Sequence, residues 1–157
     1  MGSKLFGARV ARLEDPSLLT GRGRYVDDVK VAGMLHACFA RSPLAHARIK
    51  AIDVSAAAVL PGVHAVLTAA DLPQAMRSAR IPMLVPNPSI AASLTQHCLA
   101  QDEVCYVGQP LAVVIADSRY IAEDAALLID VDYEVLPAVS DCRDAAKASG
   151  PPAHMTL

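Results

Sequence analysis

The 157-residue chain has no tryptophan, two phenylalanines and four tyrosines, so aromatics make up only 4% of it. Ring burial therefore contributes little, and a core made from this chain must pack small side chains at close backbone approach. Long apolar runs are also missing. The longest are Leu111 to Ala116 and Ala125 to Ile129, far short of the roughly 20 residues a membrane-spanning helix needs. The N-terminus lacks an apolar stretch of signal type, and Phe6 stands where a myristoylation signal wants Ser or Thr. Net charge is −2, with no basic stripe and no aromatics interleaved with arginine, which argues against a nucleic-acid partner. No two of the cysteines Cys38, Cys98, Cys105 and Cys142 stand at the spacing of a zinc or iron–sulfur run. Without a secretory signal a disulfide framework is not expected. Together these absences point to a cytoplasmic protein.

The remaining composition, 54% hydrophobic and 19% charged, is that of a folded chain long enough for one domain. Residues 1–33 read as an extended, looped segment, with turn signals at Asp15-Pro16 and at Thr20 to Gly23. A strand is expected from Leu35 to Arg41, with Cys38 as a small buried hydrophobe, and another from Ala47 to Ile52. Asp53 is placed to cap a short helix through Ala58, which Pro61-Gly62 ends. Val63 to Leu67 forms the next strand and Ala69 to Leu72 a helical turn. Between 73 and 103, Pro73, Pro82, Pro86 and Pro88 forbid a long regular element, and an extended arm is expected.

The last third has the clearest pattern. Leu111 to Ala116 is a continuous β-rich run, as in a central strand covered on both faces. Ser118 is the N-cap of a helix over Arg119 to Leu128, its inner face being Ile121, Ala125 and Leu128. Ile129 to Val135 alternates, with Ile129, Val131, Tyr133 and Val135 inward and three acids outward. Asp141 caps a last turn, and residues 148–157 read as a linker-like tail. Strand–helix–strand thus occurs twice, which gives an α+β class with a mixed sheet and short helices packed on it; ferredoxin-like orders fit as well.

Chemistry-bearing patterns are sparse. Glu14 to Asp28 holds two glycines, paired acids and paired arginines but no sustained periodicity. It reads as a docking loop, with Arg22, Arg24, Tyr25, Asp27 and Asp28 as interface candidates, joined by Arg41 and His46 further on. A phosphate-cradling role for Gly21 to Gly23 would want a strand before and a helix after, and the sequence favours neither. Asp27-Asp28 reads as turn capping, because adjacent residues of an extended chain point opposite ways. His46, alone after a strand break, reads as a structural hydrogen-bonder. His97, Cys98 and Cys105 make half of a metal site, with no fourth ligand nearby in the sequence. Gly108-Gln109-Pro110 is a turn, and Gln109 is the one candidate for contact with a cofactor. The acids Asp130, Asp132 and Glu134 read as a solvated strand face.

Four blocks taken in order resemble one family: Glu14 to Asp28, Phe39 to Ile49, Pro61 to Leu72, and Tyr106 to Ala116 running on to Asp130 to Val139. Their order and spacing are similar to the α/β hammerhead domain at the N-terminus of the molybdenum-binding large subunit in the xanthine dehydrogenase, aldehyde oxidase and carbon monoxide dehydrogenase family. The resemblance covers roughly residues 8–145 and departs at Cys105, often arginine in the family, and at Gln109, often glutamate. It implies a docking segment over 1–33, a hammerhead domain over 34–147 and a tail over 148–157. It also implies partners: a molybdopterin-binding polypeptide, an iron–sulfur subunit and a flavin subunit. Molybdopterin cytosine dinucleotide, iron–sulfur clusters and FAD would sit on those chains. The family's catalytic glutamate has no counterpart here, so no catalytic residue is expected in this chain. The expected role is support for oxidation of an aldehyde, an N-heterocycle or carbon monoxide. The alternative is a free-standing α+β module that binds a ligand or a protein without redox partners.

Overall fold

The structure is a computed structural model, and it describes residues 7–82, 85, 88, 89, 95–147 and 149–155. The chain falls into two compact units, Met1–Met34 and Leu35–Leu157.

The first unit holds helix α1 (Asp15–Leu19) and a single 3₁₀ turn, Val26–Asp28. The helix departs from the looped reading of this segment. Pro16 was taken as a turn signal, but it sits in the first turn of α1, where its missing N–H costs nothing and its fixed φ suits the helix. Ser17 Oγ donates to Glu14 O and Thr20 Oγ1 to Pro16 O, which closes both ends of the turn. None of the described residues in this unit is buried.

The described residues of the second unit form six strands: β1 (His36–Arg41), β2 (Ala47–Asp53), β3 (Val63–Thr68), β4 (Glu103–Val104), β5 (Pro110–Ala116) and β6 (Asp130–Val135). Four short helices accompany them: α2 (Ser55–Ala58), α3 (Gln74–Ser78), α4 (Arg119–Leu127) and α5 (Cys142–Ala145). The α+β class agrees with the sequence. In place of one mixed sheet there are two three-stranded sheets, ordered β1-β5-β3 and β4-β2-β6, and every registered pair is antiparallel. Both strand–helix–strand units therefore cross between sheets: β2–α2–β3 leaves the second for the first, and β5–α4–β6 returns. A parallel neighbour within one sheet is not formed, which removes the ferredoxin-like order.

β5 is central, as its unbroken apolar run requires; Leu111, Ala112, Val114 and Ala116 are all buried. Pro110 opens the strand opposite Arg41, at the bulge between Ala40 and Arg41, where a residue without an N–H does no harm. One core cluster joins Val114 and Ala116 to Ala57, Ala122 and Ala125, with Cys38 packed against it. A second joins Ala47, Ala100, Val104 and Leu111. Alanine supplies four of the five buried residues of the first cluster and two of the four of the second.

Two face assignments need correction. α4 buries Ala122 and Ala125, while Leu128 is 44% exposed. Leu128 keeps helical dihedrals as the C-cap, but the buried stripe runs through Ile121, Ala122, Ala125, Ala126 and Ile129, which leaves Leu128 at its rim. Val135 is 69% exposed, because it closes β6 outside the cluster that covers Val131 and Tyr133. The arm at 73–103 also contains regular structure: α3 follows Pro73, and β4 ends the segment. Its residues 83, 84, 86, 87 and 90–94 lie outside the described residues.

The caps read from the sequence are present at α4 and α5; at α2 the N-cap is Val54, and Asp53 stands one residue before it. Ser118 Oγ accepts from Ile121 N–H, Asp141 from Arg143 N–H, and Asp53 from Ser55 N–H. Gly62 carries φ +87° and lies against α4. A Cβ there would stand 2.8 Å from Ile121 Cδ1, so only glycine meets both demands. Among the described residues no helix is long and apolar enough to cross a membrane.

Candidate functional site

In the first unit, Arg22, Arg24, Tyr25, Asp27 and Asp28 are all exposed. Asp28 accepts a hydrogen bond from Tyr25 N–H (2.9 Å) and closes the 3₁₀ turn, the capping role read for the acid pair. Gly21 to Gly23 follow a helix and lead into extended chain. That is the reverse of the strand-then-helix setting of a phosphate cradle, so no such site forms.

In the second unit the turn before β5 is tied from several sides. Arg41 Nη1 donates to Gly108 O (2.8 Å) while its guanidinium lies 5.5 Å from the Phe39 ring centroid. Ser42 N–H donates to Gln109 O, and Gly108 N–H to Ser42 O. Gly108 carries φ +88°, which the turn requires and which other residues resist. Gln109 is 5% exposed, and its Oε1 accepts Cys105 N–H at 2.7 Å. Its carboxamide thus holds the 105–110 loop from within and borders a cavity of about 310 Å³.

One wall of that cavity carries a polar cluster. Glu103 and Cys105 are two residues apart at the end of β4, so they share a face. His154, from the segment read as a linker, meets them: its Nδ1 is 3.1 Å from Cys105 Sγ and 3.7 Å from Glu103 Oε1. Glu103 Oε2 accepts Met155 N–H (2.9 Å) and lies 3.7 Å from His46 Nε2. His46 is 6% exposed and its Nδ1 is 2.7 Å from Pro137 O. A carbonyl only accepts, so Nδ1 carries the proton and donates. Nε2 is left buried without a hydrogen-bond partner. Burial, and then the neighbouring Glu103 carboxylate, push the Cys105 thiol up to about 11.

The sequence reading grouped Cys105 with His97 and Cys98. The structure gives it Glu103 and His154 instead, while His97 Nδ1 is bonded to Ala79 O. The missed ligands are explained by distance along the chain, since His154 reaches Cys105 across 49 positions. The i, i+2 spacing of Glu103 and Cys105 was the one local signal. Asp130, Asp132 and Glu134 form no metal cluster among the described residues. Glu134 pairs instead with Arg48 (3.2 Å), its cross-strand neighbour.

Comparison with known proteins gives this geometry its relatives. Residues 20–137 match the family model described as aldehyde oxidase and xanthine dehydrogenase, a/b hammerhead domain. The nicotine 6-hydroxylase large subunit of Paenarthrobacter nicotinovorans is 45% identical over 150 residues, 96% of this chain and 18% of that protein. The carbon monoxide dehydrogenase large chain of Afipia carboxidovorans is 45% identical over 92% of this chain and 17% of its own length. The crystal structure of quinoline 2-oxidoreductase from Pseudomonas putida 86 superposes with TM-score 0.79 at 46% identity, over 94% of this chain and 18% of that one. The chain therefore spans less than a fifth of the length of the relatives it matches. It belongs to the a/b hammerhead domain family of aldehyde oxidase and xanthine dehydrogenase.

Proposed function

We propose that this chain is the non-catalytic hammerhead module of a molybdenum hydroxylase large subunit, either as a separate subunit or as one part of a longer chain. The observation that carries this beyond family membership is the first unit. It buries none of its described residues, yet leaves Leu13 99%, Val26 88% and Leu19 87% exposed. A segment that covers so little apolar surface offsets little of its ordering entropy, so a partner surface is needed to hold it. That partner is a molybdopterin-binding polypeptide, with an iron–sulfur subunit and a flavin subunit beyond it, in the cytoplasm. Arg22, Arg24, Tyr25, Asp27 and Asp28 face these chains. Arg41 and His46 brace the second unit against them through the 105–110 loop and the strand end they hold. Gln109 acts toward the cofactor by setting that same loop.

The described residues do not suit a dinucleotide cofactor of their own. The cavity, about 310 Å³, and a second hollow of about 480 Å³ are both in the lower half of the roughly 300–1,000 Å³ range of small-molecule sites. The first sets Asp102 and Glu103 against Arg80, and the second Glu123 and Asp130 against Arg41, a balance that disfavours phosphate. The N-terminus of α4, the longest described helix, is closed by Ser118. In this reading molybdopterin cytosine dinucleotide, the iron–sulfur clusters and FAD all sit on partner chains. There they would supply oxidation of an aldehyde, an N-heterocycle or carbon monoxide with water as the oxygen source. The work of this chain is to complete and stiffen the large subunit.

Co-purification tests the proposal. Tagged chain expressed in its native host should capture a molybdopterin-binding polypeptide; capture of none removes the main support. The rival reading, a free-standing ligand-binding module, has the same cavity in its favour. It requires unaided binding of a small molecule and no protection of the 73–103 arm from hydrogen exchange by the captured partner.

A further inference from the structure

We propose that Glu103, Cys105 and His154 form a binding site for one zinc-like divalent cation, with the cavity side left open for water. These three side chains are the one cluster of potential metal ligands among the described residues, with their donor atoms all within 4.8 Å of one another. A thiol, an imidazole and a carboxylate are the ligand types zinc takes, and three protein ligands with one open position is its usual non-structural arrangement.

The distances fit. Zn–S near 2.3 Å and Zn–N or Zn–O near 2.0–2.1 Å, at tetrahedral angles, put S and N about 3.5 Å apart and N and O about 3.3 Å apart. The observed separations are 3.1 Å for Cys105 Sγ to His154 Nδ1 and 3.7 Å for His154 Nδ1 to Glu103 Oε1. These two separations each differ from the tetrahedral values by about 0.4 Å, and Cys105 Sγ lies within 4.8 Å of Glu103 Oε1. Burial is intermediate for all three, so a cation would be partly shielded from water yet reachable from the cavity.

An independent observation comes from His46. Its buried Nε2 has no hydrogen-bond partner and faces Glu103 Oε2 at 3.7 Å. With Nδ1 donating to Pro137 O, Nε2 is left facing the carboxylate with no hydrogen bond to it. Buried polar atoms are nearly always paired, so an unpaired one at the edge of the cluster points to an ion or water that completes the site. Binding would replace the thiol proton by the metal and release that proton to solvent, leaving Cys105 as the metal-bound thiolate. Arg80 also borders the cavity; its Nη1 donates to Thr95 O, and its charge draws the Cys105 thiol down against the larger effects of burial and Glu103. Met155 N–H donates to Glu103 Oε2, which leaves Oε1 for the metal.

Cobalt substitution of the full 157-residue chain is the test. The metal-free protein, folded by circular dichroism, is titrated with Co²⁺. The expected result is one ion per chain with a near-ultraviolet thiolate-to-cobalt charge-transfer band, displaced by equimolar Zn²⁺. Cys105→Ser abolishes the band, whereas Cys98→Ser and Cys142→Ser keep it. His154→Gln weakens binding. Zinc-edge X-ray absorption, on the chain alone or in whatever assembly it purifies with, should show one sulfur and otherwise nitrogen or oxygen ligands. A folded chain without the band, a band that survives Cys105→Ser, or an absorption spectrum without sulfur overturns the proposal.

Discussion

Replacing Gly62 by alanine separates backbone strain from side-chain crowding at the point where β3 begins. Gly62 has φ +87°, and the added methyl would stand 2.8 Å from Ile121 Cδ1 and 3.3 Å from Asp117 Oδ2. Holding an L-residue in left-handed territory costs about 1–2 kcal/mol. Pushing Ile121 off its rotamer adds about 0.5–1.5 kcal/mol, so Gly62→Ala should destabilise by about 1.5–3.5 kcal/mol in all. Ile121→Val removes the Cδ1 atom that is struck and none of the backbone strain. In that background the cost of Gly62→Ala should fall by about 0.5–1.5 kcal/mol, with about 1–2 kcal/mol remaining. Urea unfolding of the four proteins, followed by far-UV circular dichroism, measures the cycle. A total cost below about 0.5 kcal/mol, within the scatter of neutral surface changes, would refute the geometry. So would a cost that Ile121→Val leaves unchanged, because the crowding at Cδ1 would then be absent.

Leu111 is 1% exposed and central to the second cluster, so Leu111→Ala should lower unfolding free energy by about 2–5 kcal/mol. Leu127→Ala, at a position 84% exposed, should stay within about 0.5 kcal/mol of the parent, and the pair is compared by urea midpoint. Tyr133 buries its hydroxyl short of a well-formed hydrogen bond; the neighbouring Ser42 Oγ donates to Leu44 O and accepts Leu44 N–H, which leaves only its second lone pair for a weak contact with Tyr133. Tyr133→Phe should therefore leave the midpoint unchanged or raise stability by up to about 1 kcal/mol; a clear loss would show that the hydroxyl is bonded. The Asp71 carboxyl is held below the usual value by the Thr68 backbone N–H and then by its hydroxyl; Asp53 is lowered in the same way by Ser55, and Asp141 by Arg143. Their contribution is complete above the unfolded value of about 3.9 and is lost as pH falls through the lowered folded values. Asp71→Asn should flatten the acid decline of the midpoint below about pH 4, and an unchanged acid slope would contradict the assignment.

The sequence was most legible where one force decided the outcome. Leu111 to Ala116 had no polar residue to turn outward, so a central strand was the one placement that covered both faces, and β5 occupies it. Ser118 and Asp141 were readable because a cap is a local hydrogen bond between near neighbours. Leu128 and Val135 were misread because periodicity is blind to where the buried face stops. α1 and α3 were missed because each is a single stretch of five residues with a proline at its start, Pro16 inside the first turn of α1 and Pro73 just before α3, where start and break signals look alike. The two-sheet division was hidden as well: nothing in Asp53 to Val63 says whether the chain returns to its own sheet or changes sheets. Of the site, the turn at Gly108 and the shared face of Glu103 and Cys105 could be read locally. His46 and His154 could not be placed there, since they reach Glu103 from opposite directions along the chain.

The two crossings, β2–α2–β3 and β5–α4–β6, make each sheet a patchwork of distant segments. One takes its strands from 36–41, 63–68 and 110–116, the other from 47–53, 103–104 and 130–135. Like two hands with fingers laced, neither layer can be withdrawn while its neighbour stays intact. A cut at any point between β2 and β5 parts strands of both layers at once, so neither sheet can be completed from one side of it.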